Sequence, residues 1–192
     1  MLTADEIGRA ISGSLKLLNR DAEGYEGFEV SVPAFWRSFA AVVLTAPAFV
    51  TALAFDRMQL GLPAEAGLFA DGWVVAREAL VAGLAWMVFP LAMIWVVRRL
   101  GLGSRYVGYI IAYNWSAVIS TAIFALPTAL YVLGLATYGL SILYAVAFGV
   151  IVAQYRWFLA KTSLGISGGL AALIVMADFG INGLIGAAVG IA

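Results

Sequence analysis

The chain has 192 residues, 64% of them hydrophobic and 11% charged, with 11 basic residues balancing 11 acidic ones. A soluble domain carries about 25% charged residues, so this composition belongs to a polytopic membrane protein. Cysteine and histidine are both absent, which excludes disulfides, thiol chemistry and iron–sulfur clusters and removes the commonest metal ligand and general base. No cofactor, metal or nucleic-acid partner is expected, and the chain reads as non-enzymatic.

Residues 1–33 form an N-terminal arm. No apolar core precedes a small-residue cleavage site, so the start is read as a helix rather than a signal peptide. Thr3 supplies an N-cap, Glu6 completes a capping box, and Leu2 with Ile7 occupies the positions of a hydrophobic staple. On a helical wheel Ile7, Ile11, Leu15 and Leu18 fall opposite Arg9, Lys16 and Arg20. Such an amphipathic helix lies in a membrane interface or packs its apolar face on the protein's own spans. Asp21, Glu23, Glu26 and Glu29, interleaved with Gly24 and Gly27, spell an acidic linker. Phe28, Val30 and Val32 alternate as a short extended segment before Pro33.

Residues 34–192 hold five spans, at about 34–55, 73–97, 106–133, 139–158 and 166–191. Pro47 and Pro90 are expected to kink the first two. With the N-terminus inside, the inner basic set is Arg9, Lys16, Arg20, Arg37, Arg98, Arg99, Arg105, Arg156 and Lys161. The outer set is Arg57 and Arg77 alone, and that bias predicts an N-in, C-out topology. Arg9, Lys16, Arg20, Arg98, Arg99 and Arg105 are the candidate membrane-surface residues. The fold expected is all-α: a five-span transmembrane bundle behind an amphipathic helix.

The fifth span is the most informative stretch, and the bundle is expected to be organised around it. Asp178 lies at its midpoint, with Asn182 one turn later on the same face. That face, through Gly168, Ala171 and Val175 to Gly186, is small or polar, whereas Leu170, Leu173, Ile174, Ile181, Leu184 and Ile185 suit lipid. Gly168, Gly183, Gly186 and Gly190 are candidate helix-packing positions. Asn114 in span three and Gln154 in span four complete the set of intramembrane polar residues. Two readings of these four stand: a polar path centred on Asp178, or interhelical hydrogen bonds holding spans three to five together. No basic residue is assigned to the depth of Asp178, so its carboxyl is expected to be neutral through desolvation.

Three motifs lack the context their chemistry needs. Asp178-Phe179-Gly180 spells a kinase metal-binding triplet without the rest of a kinase. Asn114-Trp115-Ser116 is a glycosylation sequon inside a span. Thr162, Ser163 and Ser167 have no base to activate them.

In its organisation the chain resembles the Yip1 family of five-span membrane proteins, in its small bacterial branch. The resemblance rests on the N-terminal arm, three closely joined C-terminal spans, Tyr106-Val107-Gly108-Tyr109 before Ala112-Tyr113-Asn114-Trp115, and Lys161-Thr162-Ser163-Leu164-Gly165. The acidic-Leu-Tyr-Gly-Pro signature of the eukaryotic members is missing. The resemblance implies an integral protein of the bacterial inner membrane without catalysis. It would act through the lipid bilayer and a membrane-protein partner or a homo-oligomer, as a scaffold or accessory subunit. The alternative is a small transporter or channel centred on Asp178.

Overall fold

A computed structural model describes residues 2–63, 65 and 67–189, and among them every regular element is helical. Helix α1 spans Ala4–Leu18 and a 3-10 segment covers Ala22–Gly27. The first span is α2 (Val32–Ser38), a 3-10 stretch (Phe39–Thr45) and α3 (Ala46–Gln59). Then follow α4 (Gly72–Arg99), α5 (Tyr106–Val132), α6 (Tyr138–Leu164) and α7 (Gly168–Val189). Five helical runs are long and apolar enough to cross a membrane.

The helix ends follow local chemistry. Thr3 Oγ1 accepts from Glu6 N at 3.2 Å, and Asp71 Oδ1 accepts from Trp73 N and Val74 N, both at 3.0 Å. The other half of the expected capping box does not form, because the Glu6 carboxylate turns to Arg37 Nε, at 3.0 and 2.9 Å. Span one is not a single kinked helix. Pro47 has no N–H to continue an α-helix and sits in the first turn of α3, so the preceding turns tighten to 3-10. Span four runs six residues beyond its expected end at Phe158, to Leu164, where Gly165 closes it at φ 62°.

The centre of the bundle is α5, not the last span. Every residue from Gly108 to Ala117 is buried, whereas α7 leaves Leu173, Met176 and Leu184 exposed. Helix α7 lies against α4 and α6 and reaches α5 through Tyr113 and through Phe124, whose ring meets Phe179 edge-on. Its inward face is wider than expected. Ile174 is buried beside Ala171 and Val175, and Ile181 packs against the core instead of facing outwards.

The arm is part of the same core. Ala10, Gly13, Ser14 and Leu17 of α1 are buried, and Tyr155 Oη donates to Ser14 O at 2.9 Å. Of the two fates open to α1, packing on the chain's own spans is the one observed. Ile7, Ile11 and Leu18 of the expected apolar face pack against the core beside those buried residues, whereas Leu15 is exposed. The acidic segment folds back as a 3-10 turn. A Cβ on Gly13 or Gly24 would strike the other's backbone, so α1 and this turn meet at glycine-only distance. Phe28 is buried and no strand forms there, because Ser31 instead caps α2 by accepting from Ala34 N at 3.1 Å. Arg37 fastens the arm to span one by bonding Glu6 and also Glu29, at 2.9 Å.

Candidate functional site: a buried ion pair between the last two helices

Asp178 lies ten residues after Gly168 on α7, about 15 Å along the axis from the start of the helix. Arg156 lies eight residues before Leu164 on α6, about 12 Å from its end. The antiparallel hairpin of these two helices therefore brings the side chains to one depth, and they form a salt bridge. Asp178 Oδ2 accepts from Arg156 Nη1, while Oδ1 accepts from Tyr113 Oη at 2.9 Å and Asn182 Nδ2 at 3.0 Å. Asn182 Nδ2 also bonds the Asp178 carbonyl at 2.8 Å, so its amide is held on its own helix.

This corrects the expectation that no basic residue reaches the depth of Asp178. Its carboxyl oxygens accept from three donors, one of them a guanidinium, and it is 1% exposed. Aromatic rings wall the cation. The Arg156 guanidinium carbon lies 5.2 Å from the Tyr113 ring centre and 5.9 Å from that of Phe179. Phe89 of α4 stacks on Tyr113 at 4.7 Å, so four helices meet around the pair. Removing two charges from water costs several kcal/mol per ion. Only close pairing with additional hydrogen bonds offsets that loss, and Asp178 has both.

The four intramembrane polar residues do not gather into one path. Asn182 joins Asp178. Asn114 is buried on α5 but donates to Ser38 Oγ at 2.9 Å, and Ser38 Oγ in turn donates to Phe35 O at 2.7 Å. It ties span three to span one. Gln154 is exposed and accepts from Arg20 Nη2 at 2.7 Å, joining the arm to α6. Sequence reasoning misses Arg156, which it places in the inner basic set because it ends span four at Phe158, and Tyr113, which it reads only as part of a span-opening motif.

The glycines also sort differently. A Cβ on Gly168 would lie 3.2 Å from the Trp157 ring, and Trp157 Nε1 donates to Gly168 O at 2.8 Å. Gly183 and Gly186 have nothing within 4 Å of a Cβ, so neither packs against another helix of this chain. Gly190 lies outside the described residues. The close glycine contacts are Gly13, Gly24, Gly27 and Gly108 at the arm, and Gly165 between α6 and α7, where a Cβ would overlap the Arg105 guanidinium. Arg9, Lys16, Arg20, Arg98, Arg99 and Arg105 are all exposed, and all lie at the arm end of the bundle.

A second polar group, also missed, lies in the opposite half. Arg77 of α4 forms a salt bridge with Asp56 of α3, and its Nη2 lies 3.8 Å from Glu78 Oε1. Glu78 is buried, with 8% exposure, and borders a cleft between α3, α4 and α5. Its signal was an acid six residues inside a span. No family model, curated protein or solved structure matches this chain.

Proposed function

We propose that the chain is a non-enzymatic scaffold or accessory protein of the bacterial inner membrane, of the Yip1-like kind that its organisation resembles, with its N-terminus cytoplasmic. One observation carries this reading. The groups that would form a polar path are turned into internal ties: Asp178 to Arg156, Tyr113 and Asn182, Asn114 to Ser38, and Gln154 to Arg20. A carrier site needs polar groups that a substrate can reach, and here each of the four side chains is tied to a neighbour, while Asn114 Oδ1 is buried without a donor.

What remains free is outward-facing. Gly183 and Gly186 leave one stretch of α7 open to a helix from another molecule, since small residues permit close approach in lipid. The docked arm adds Arg9 and Lys16, together with the exposed Trp36 of α2, at the same end as Arg98 and Arg99. That combination suits an anionic cytoplasmic leaflet, and with Arg156 taken into the bundle eight basic residues remain for that side against two for the other. The amphipathic character of the arm then serves two surfaces, its apolar face on the bundle and its basic face on lipid headgroups.

Affinity purification from native membranes in mild detergent tests the reading. A partner protein, or a second copy, co-migrating at fixed stoichiometry and lost in Gly186→Leu is the expected result. A chain that migrates alone, and supports a solute flux abolished by Asp178→Asn, would overturn it in favour of transport.

A further inference from the structure

We infer that the cleft between α3, α4 and α5 is a binding site for a small organic ammonium ion with an apolar body. The cleft has a volume of about 250 Å³ and is bordered by Thr45 and Phe49 of the first span, Glu78 of α4, and Thr121, Phe124 and Ala125 of α5. That is near the small end of ligand sites, which run from about 300 Å³ upwards. Its walls are mainly apolar, with a few polar groups converging on them, the usual make-up of a site that fixes one orientation of a small ligand.

Glu78 sets the charge of the ligand. Its Oε1 is buried and accepts no hydrogen bond among the described residues. The nearest cation, Arg77, is 3.8 Å from it, too far for a hydrogen bond, and is already paired with Asp56. One guanidinium between two carboxylates leaves an excess negative charge, and the carboxylate at the cleft is the under-satisfied one. A buried acceptor without a donor is a standing penalty, which an ammonium N–H would remove. Thr45 Oγ1 donates to Val42 O at 2.7 Å, so at the cleft it offers lone pairs and not a proton. Glu78 and Thr45 thus offer acceptors to the N–H groups of a ligand, and the Thr121 and Thr128 hydroxyls can accept or donate. Phe49 and Phe124 supply rings for its apolar body and for contact with the cation. Phe124 meets Phe179 beside Arg156, but Glu78 and Ala125, the positions the test alters, take no part in the Arg156–Asp178 cluster or the α7 glycines, so this inference and the scaffold reading can fail separately.

Titration calorimetry with the full chain in nanodiscs of uncharged phosphatidylcholine, against empty discs, tests it. The probes are 2-phenylethylammonium and the similarly shaped but neutral 2-phenylethanol. The expected result is one saturable ammonium site per chain, with the alcohol at least about tenfold weaker. Glu78→Gln, which keeps the shape and removes the charge, weakens ammonium binding by at least about tenfold. Ala125→Phe, which fills the cleft and leaves the carboxylate, abolishes it. Absence of saturable binding overturns the inference, as does equal affinity for the alcohol, which would mark a cleft for lipid chains. Unchanged affinity in folded Glu78→Gln overturns it too. Should Glu78→Gln fail to fold, undiminished binding in Ala125→Phe is the overturning result.

Discussion

Tyr25 of the arm rests its hydroxyl on the backbone of Gly108, at the start of span three, so closely that a Cβ at position 108 would overlap it. The Tyr106-Val107-Gly108-Tyr109 stretch thereby acquires a physical role. It is the notch that receives the folded-back acidic segment. Burial in that notch raises the Tyr25 pKa above the ordinary phenol value, with Arg105 nearby acting in the opposite sense.

Gly108→Ala is therefore expected to lever the arm away. Overpacking of this kind destabilises by about 1–3 kcal/mol, and here the strain falls on the arm because α5 is fixed on all sides. Hydrogen exchange should rise across residues 4–28 and stay unchanged in α5. Tyr25→Phe removes the overlapping oxygen and leaves the ring carbon at 3.3 Å from the new methyl, so the double variant should recover part of the protection. Equal exchange in wild type and Gly108→Ala would show that the notch does not hold the arm.

The Arg156–Asp178 pair should be strongly non-additive. Arg156→Met alone leaves a buried carboxylate, and Asp178→Leu alone leaves a buried guanidinium. Breaking a buried pair from either side costs about 3–5 kcal/mol. The double variant removes both charges and keeps apolar bulk, so it should be less destabilised than either single change, as read by thermal unfolding in detergent. A double variant as damaged as the sum of the singles would mean the two charges do not interact.

Five apolar runs, the Thr3 cap, and Asp178 with Asn182 on one face are local features, set by hydropathy and by helical period, and they were legible. The depth of Arg156 was not. Hydropathy drops at Lys161, Thr162 and Ser163, which suggests an end near Phe158, yet nothing stops the backbone until Gly165 turns left-handed. Lys161 sits over the Trp157 ring and Ser163 Oγ bonds Leu159 O, so these polar residues are accommodated in helix. Asn114 misled in the opposite way. It is buried as expected, but the adjacent Tyr113 points towards α7, and successive helical residues face about 100° apart.

Acidification should loosen the arm before it disturbs the bundle. The Glu29 carboxyl is held below the ordinary value, first by the hydrogen bond from Ser31 Oγ at 2.7 Å and also by the Arg37 guanidinium. A carboxylate whose folded pKa is depressed contributes stability that is complete above its unfolded value of about 4.3. That contribution is lost as pH falls through the folded value. Limited proteolysis within residues 19–31 should therefore be slow at neutral pH and accelerate below about pH 4. In Glu29→Gln the acid-dependent component should shrink, with cleavage already faster at neutral pH. An unaltered acid profile in Glu29→Gln would assign the effect to another group.

Gly168 and Gly186 occupy one helix and should respond oppositely to the same substitution. At Gly168 the Trp157 ring stands 3.2 Å from a prospective Cβ, and the indole also bonds the Gly168 carbonyl. Leucine there must displace the ring and that bond together, which should lower the stability of the single chain by about 1–3 kcal/mol. At Gly186 a Cβ meets nothing within 4 Å, so leucine should change the monomer by no more than about 0.5 kcal/mol. Its effect should appear instead in assembly, because a bulky residue bars the close helix approach that a small one permits. Unfolding of the detergent-solubilised chain measures the first effect, and native mass spectrometry or chemical crosslinking in membranes measures the second. Should Gly186→Leu leave both readouts untouched while Gly168→Leu behaves as stated, the open face of α7 is a lipid surface, and the partner contact must be sought at the arm end.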